Sequence, residues 1–262
     1  CIATSNSISD VYSLFAVDVD QDGDIDVLSA SAGDDRIAWH ENNGHPTSPA
    51  FTTHTITTSA DGALDVYAAD VDGDGDMDVL SASPTDHSII WYANNGASDP
   101  EFTAYTISSS ADAPSSVFAV DVDGDGDMDV LSGGNSTFYW YENNGSESFT
   151  SHIIVSTGGE FLELYAADAD KDGDIDLFSA SYGFDKIVWY ENNGSESFTS
   201  RTITTDVDNA TSVYAVDLDS DGDIDVLSAS KNDDKIAWYE NEGVDNTTPT
   251  ISSVTSTTSD GT

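Results

Sequence analysis

The stretch Asp70–Ser83, DVDGDGDMDVLSAS, places five carboxylates at alternate positions around Gly75 and then runs into an apolar, alternating segment. The same string returns as DVDQDGDIDVLSAS from Asp18, DVDGDGDMDVLSGG from Asp121, DADKDGDIDLFSAS from Asp168 and DLDSDGDIDVLSAS from Asp217. Successive starts lie 52, 51, 47 and 49 residues apart, a period that marks a repeat architecture. The chain is therefore read as five copies of one unit.

Working outward from the loop, each copy divides into short segments. In the last, SVYAVDL (212–218) alternates apolar and polar residues, the acidic loop follows, IDVLSAS (224–230) alternates again, and KIAWYEN (235–241) forms a third segment. A fourth links the copies: FTTHTITT from Phe51, FTAYTISS from Phe102, FTSHIIVS from Phe149 and FTSRTITT from Phe198. All are rich in Thr, Ile and aromatics and show no 3.6-residue period. ENNG, ANNG or ENEG follows each third segment, and Asn-Gly favours a tight reversal because both residues tolerate positive φ. The expected fold is all-β, a β-propeller of five four-stranded antiparallel blades or part of a larger propeller, with one acidic loop per blade. The units are cut at 1–50, 51–101, 102–148, 149–197 and 198–245, and the Thr/Ser-rich residues 246–262 are read as a closing strand or linker.

Trp39, Trp91, Trp140, Trp189 and Trp238 recur in the third segment and read as one large core side chain per blade. Tyr92, Tyr141, Tyr190 and Tyr239 follow four of them and must face the other way; if either row meets a ligand, it is expected to be the tyrosines.

Six Lys plus Arg stand against 50 Asp plus Glu in 262 residues, a formal net charge of -44. That balance argues against nucleic acid and anionic membrane surfaces and points to cations. With 38% hydrophobic residues in regular places, the chain reads as folded despite its charge. No run of 18 apolar residues exists, so direct membrane insertion is not expected. Its single cysteine, Cys1, excludes a disulfide scaffold and is read as a chain boundary, a lipidated residue or a link to another chain.

Numbered from its first Asp, each loop has carboxylates at positions 1, 3, 5, 7 and 9 and Gly at position 6. The candidate metal ligands are Asp18, Asp20, Asp22, Asp24 and Asp26; Asp70, Asp72, Asp74, Asp76 and Asp78; Asp121, Asp123, Asp125, Asp127 and Asp129; Asp168, Asp170, Asp172, Asp174 and Asp176; and Asp217, Asp219, Asp221, Asp223 and Asp225. Hard oxygen donors in this number suit Ca²⁺, expected at about one ion per repeat, and Gly at position 6 permits the turn that gathers them. Two carboxylates about 4 Å apart repel by roughly 4 kcal/mol at an effective dielectric near 20, so several converging on one point call for a cation. An EF-hand would need Glu at position 12, where Ser29, Ser81, Ser132, Ser179 and Ser228 stand, and helical flanks. The alternative is a strand-loop-strand site in which the position 9 Asp replaces that Glu and position 7 offers its main-chain carbonyl.

The D-x-D-x-D-G-D-x-D string, repeated with WYENNG about twenty residues on, resembles the FG-GAP/VCBS repeats of extracellular calcium-binding β-propellers. The resemblance spans essentially the whole chain. It implies side-chain ligands at positions 1, 3, 5 and 9 and a main-chain ligand at position 7. Such propellers more often carry about seven blades, against five motifs here.

No catalytic constellation is found, and the chain is expected not to be an enzyme. His54 and His152 share a slot with Tyr105 and Arg201, and His40 stands where other copies have Tyr, a pattern read as surface variation. Sequons occur at Asn135, Asn144, Asn193, Asn209 and Asn246. The expected function is an extracellular or cell-surface, secreted, prokaryotic calcium-binding module, structural or adhesive, whose edge strands support protein contacts or self-association. The alternatives are a lectin-like glycan binder and an accessory domain of a larger secreted enzyme.

Overall fold

The computed structural model describes residues 9–45, 50–156, 161–195, 197–241 and 251–254; Cys1, Asn246 and most of the 246–262 segment lie outside them. Twenty strands form five antiparallel sheets of four. The first joins β1 (Val11–Val17), β2 (Asp26–Ser31), β3 (Arg36–Asn42) and β4 (Phe51–Thr57). The second joins β5 (Asp65–Ala69), β6 (Asp78–Ser83), β7 (Ser88–Asn94) and β8 (Phe102–Ser108), and the third β9 (Ser116–Val120), β10 (Asp129–Gly133), β11 (Thr137–Asn143) and β12 (Phe149–Ser156). The fourth joins β13 (Phe161–Ala167), β14 (Asp176–Ser181), β15 (Lys186–Asn192) and β16 (Phe198–Thr204), and the fifth β17 (Ala210–Val216), β18 (Asp225–Ser230), β19 (Lys235–Asn241) and β20 (Ile251–Val254). In every sheet neighbours in sequence are neighbours in space, the up-and-down order of a propeller blade.

The sheets are offset by one strand from the sequence units. The Phe-led segments do not open a blade; they close the preceding one, so that Asn42 pairs with Phe51 and Asn192 with Phe198. β20 plays the same part in the last sheet, pairing with β19.

Register explains the two aromatic rows. Across the first sheet Phe15 opposes Leu28, which opposes Trp39; the second repeats this as Tyr67, Leu80 and Trp91. These rows form one face of each blade, and the residues between them, such as Val66, Val79 and Tyr92, form the other. Within the first unit (Cys1–Val120 with Gly126–Ile153), Val19, Leu28, Ala30, Ile37 and Trp39 of one blade pack on Ala60, Ala63, Val66, Ala68, Val79 and Tyr92 of the next. Val71, Leu80, Ile89 and Trp91 meet Val117, Ala119, Val130 and Tyr141 in the same way. Within the second unit (Asp121–Asp125 with Ile154–Thr262), Ala169, Phe178, Ile187 and Trp189 meet Val213, Ala215, Val226 and Tyr239. Burying each of the larger side chains among them contributes roughly 1.5–3 kcal/mol, so the blade-to-blade faces are the core. The tryptophans do face away from the tyrosines, but the tyrosines do not meet solvent: Tyr92, Tyr141, Tyr190 and Tyr239 are at most 4% exposed. The expectation that they would be the ligand-facing row is thereby corrected.

Candidate metal centres in the acidic loops

Each loop is wound by its own carboxylates. The position 3 carboxylate accepts the amide of position 5, as Asp22 N donates to Asp20 Oδ1 at 3.2 Å and Asp74 N to Asp72 Oδ1 at 3.2 Å. Position 5 accepts the amide of position 7, from Asp24 to Asp22 and from Asp76 to Asp74, both at 2.9 Å. Position 1 accepts the glycine amide: Gly23 donates to Asp18, and Gly75 to Asp70, both at 3.0 Å. The fourth and fifth loops repeat these three bonds. Gly at position 6 has φ between +94° and +99° in all five copies, a region side-chain-bearing residues avoid.

The result is a cluster of oxygens. Asp18, Asp20 and Asp22, Asp168, Asp170 and Asp172, and Asp217, Asp219 and Asp221 each bring three carboxylate oxygens within 4.8 Å of one another; in the second loop the trio is Asp70, Asp72 and Asp78. The third loop is divided between the two units. In one, Asp121 accepts Gly124 N at 2.8 Å and Asp123 accepts Asp125 N at 3.2 Å; in the other, Asp129 accepts Asn143 N at 2.7 Å.

Oδ1 of Asp18, Asp70, Asp168 and Asp217 is buried and accepts no hydrogen bond. A buried carboxylate oxygen without a donor costs several kcal/mol, and a hard cation held among these oxygens would remove that cost. Burial, followed by lesser effects of neighbouring groups, raises the position 3 carboxyls Asp20, Asp72 and Asp170 above the ordinary carboxylate value. The donor set fits a hard divalent ion.

Positions 7 and 9 have different surroundings. At position 9, Asp26, Asp78, Asp129, Asp176 and Asp225 are 0% exposed. Asp26 accepts Val19 N at 3.1 Å and Trp39 Nε1 at 2.9 Å on one oxygen and Asn42 N at 2.7 Å on the other. This residue ties loop, third strand and Asn-Gly turn together, and in the second loop it also reaches the oxygen cluster. Burial pushes Asp78 up to about 6 and Asp176 up to about 7. At position 7, the side chain packs against the turn glycine: a Cβ on Gly44 would fall 1.9 Å from Asp24 Oδ2, and one on Gly96 2.0 Å from Asp76 Oδ2. That glycine is required by contact as well as by its φ of +64° in both turns.

Three features escaped the sequence reading. The first Asn of each turn is a clip: Asn94 Nδ2 donates to Met77 O of its own blade and to Val19 O of the preceding loop, both at 3.1 Å. Asn143 bonds Met128 O and Val71 O at 3.1 Å, and Asn192 and Asn241 repeat the pattern on Val122 and Ala169. The signal was present, since this Asn is the same in all five copies while the next residue changes to Glu242 in the last. Second, position 4 is left-handed in every loop, with Gln21, Lys171 and Ser220 at φ 59°, 61° and 67° where Gly73 and Gly124 stand in the others.

Third, the histidine slot is structural. His54 stacks on Trp39, with ring centroids 4.4 Å apart, and pairs with Glu41 at 2.8 Å; His152 does so with Trp140 and Glu142. Arg201 lies over Trp189 and pairs with Glu191. In the second blade, where Ala93 replaces the Glu, the partner is uncharged Tyr105 stacked on Trp91. His40 is 1% exposed and bonds Ser29 and Thr53, so its reading as surface variation is corrected; burial lowers its basicity.

A search of curated proteins finds no match. Among solved structures, an Agrocybe aegerita lectin studied for recognition of non-reducing terminal N-acetylglucosamine superposes with a TM-score of 0.64 at 19% identity, over 94% of this chain and 66% of the lectin. A Lactobacillus plantarum protein gives 0.61 at 15% identity over 88% of this chain and 67% of its own, and BBS1N in complex with ARL6DN gives 0.59 at 12% identity over 90% and 68%. This chain thus spans about two-thirds of each, and at such identities the likeness is one of fold. The FG-GAP-like repeat profile matches residues 18–81, 70–132, 130–179 and 168–228; three of the matches start at the first Asp of an acidic loop, and the 130–179 match starts in β10, just after the third loop. Five wound acidic loops on five four-stranded blades, matched by that profile over most of the sequence, place the chain in the FG-GAP-like repeat family.

Proposed function

We propose that the chain is an extracellular calcium-binding repeat module whose loaded blades form a stiff platform for structural or adhesive contacts, a binding rather than a catalytic protein. The observation that carries this reading is the buried, donorless Oδ1 of Asp18, Asp70, Asp168 and Asp217 beside two further carboxylates. Calcium would be held by the side chains at positions 1, 3 and 5, with position 9 contributing where it reaches the cluster and position 7 offering its carbonyl. Its chemistry here is charge neutralisation and cross-linking of the loop. Extracellular calcium suits such sites: at a dissociation constant of about 10⁻⁴ M and a hundredfold excess of ion, each would add about 2.7 kcal/mol. The test is thermal unfolding with and without a chelator, in millimolar calcium or magnesium. A large rise specific to calcium supports the reading, and indifference to calcium refutes it.

A lectin-like role is the second reading, favoured by the fold likeness to a glycan-binding lectin. The fourth blade adds a local feature in its β14–β15 turn, where Tyr182 and Phe184 are 39% and 43% exposed and Lys186 lies over the Phe184 ring. Binding on a glycan array that is lost in Tyr182→Ala and Phe184→Ala would establish it; an array without signal would remove it.

A further inference from the structure

Within D-x-D-x-D-G-D-x-D, positions 2 and 8 are always apolar, and position 4 alone changes chemistry from copy to copy: Gln21, Gly73, Gly124, Lys171 and Ser220. The two long side chains in this set both end on the following loop, and at the same place in it. Gln21 Nε2 donates to Gly75 O and to Asp76 Oδ1, both at 2.8 Å. Lys171 Nζ donates to Asp223 Oδ1, in an ion pair. Asp76 and Asp223 are both position 7 residues, and each link lies inside one compact unit. Gly73 and Gly124 have no side chain with which to make such a link.

The two links differ in chemistry. Gln21 is neutral and spends both amide hydrogens on the second loop, while the other oxygen of Asp76 packs against Gly96. The Gly75–Asp76 turn, which gathers Asp70, Asp72 and Asp78, is thus held in place before an ion arrives, and less of the binding free energy goes into ordering it. Lys171 brings a positive charge instead. The bond to Asp223 is the largest influence raising its basicity, and the charges that act on it most belong to the fifth loop: Asp223, then Asp221 and Asp217. Asp217 and Asp221 are two of the three residues in that loop's oxygen cluster. An ammonium beside them opposes the entry of a divalent ion, and because it is exposed, salt screens the effect.

We propose that position 4 of one acidic loop sets the cation affinity of the next: Gln21 tightens the second loop and Lys171 loosens the fifth. The proposal rests on the calcium-binding function given above and grades its sites. The second loop then binds more tightly, and the fifth more weakly, than the same loop without its link.

Calcium titration of the ¹⁵N-glycine-labelled chain, followed by NMR, tests this loop by loop. The position 6 glycines Gly23, Gly75, Gly126, Gly173 and Gly222 give one amide per loop, and in four of them that amide bonds the position 1 carboxylate. Gln21→Gly, Gln21→Lys and Lys171→Gln are compared with the wild type. Both residues are exposed, so the calcium-saturated spectra are expected to show folded variants.

The expected result for Gln21→Gly is a calcium midpoint at Gly75 raised by about threefold to tenfold, the worth of about one hydrogen bond. Gln21→Lys should raise it further. Lys171→Gln should lower the midpoint at Gly222 by about threefold to tenfold at low ionic strength, with the difference shrinking in high salt. Gly126, in the third loop, should keep its midpoint throughout. Unchanged midpoints at Gly75 and Gly222 overturn the proposal. So do shifts confined to Gly23 and Gly173, which would mean that position 4 acts on its own loop. If none of the five amides of the wild type responds to calcium, the function proposed above fails and this grading falls with it.

Discussion

Replacing Asn94 with Ala should cost more stability than replacing Asn42, although both open the same turn. Asn94 is 4% exposed and supplies donors to two carbonyls, Val19 O and Met77 O, each at 3.1 Å. Removing a donor from a buried carbonyl costs about 1–3 kcal/mol, so the bond across the blades adds that much to the roughly 1 kcal/mol of the bond within the blade, about 2–4 kcal/mol together. Among the described residues Asn42 Nδ2 donates only within its own blade, to Ile25 O at 3.0 Å, where water can replace it, so its loss should be about 1 kcal/mol. Both variants also lose the acceptor for the turn glycine amide, from Gly96 at 3.1 Å and Gly44 at 3.3 Å, and that contribution largely cancels in the comparison. The difference, about 1–3 kcal/mol, isolates the bond across the blades. Urea unfolding followed by Trp fluorescence reads it as a midpoint shift on the order of 1 M between the variants. The protein must be dilute enough to remain unassociated and saturated with calcium. Midpoints rather than extrapolated free energies are compared, because repeat arrays need not unfold in one step. Asn143→Ala, with the same two bonds, should match Asn94→Ala. Equal losses in Asn42→Ala and Asn94→Ala would refute the clip and reduce this residue to a turn former.

The metal-free protein should lose stability as pH rises. Burial holds Asp78 and Asp176 at about 6 and about 7, above the ordinary 3.8. A carboxyl raised in the folded state contributes stability that is full below 3.8 and is lost as pH climbs through those higher values, so the melting temperature in chelator should fall between about pH 4 and pH 8. A flat profile would contradict it. Ser220→Gly relieves a left-handed backbone at φ 67° and should be neutral or stabilising by up to about 1 kcal/mol in thermal unfolding, whereas Gly75→Ala, at φ 96°, should destabilise by about 1–2 kcal/mol and weaken calcium binding at its loop. Gly96→Ala would force Asp76 aside, since its Cβ would lie 2.0 Å from Oδ2, and should lower both melting temperature and calcium affinity.

Much of the blade was legible because period-2 alternation and the Asn-Gly turns are local signals. KIAWYEN coincides with β19 from Lys235 to Asn241. The acidic loop was legible for the same reason, as the Asp spacing alone dictates the amide-to-carboxylate bonds that wind it. Partners across blades were not. Nothing local distinguishes Asn94 as a turn residue from Asn94 as a donor to Val19, 75 positions away, and Asp65 gives no sign that it accepts Val117 N from the next blade. Sheet membership of the Phe-led segments was hidden similarly, because a strand that closes one blade and a strand that opens the next have the same composition. The stacking of His54 on Trp39 needed the pairing of β3 with β4, which places the two residues opposite each other.

Calorimetric titration of the chelated chain with calcium tests the central claim most directly. Binding at five sites, one per acidic loop, with a parallel rise in melting temperature and no comparable response to magnesium, is the expected result. Absence of binding heat together with a melting temperature unmoved by calcium would contradict it.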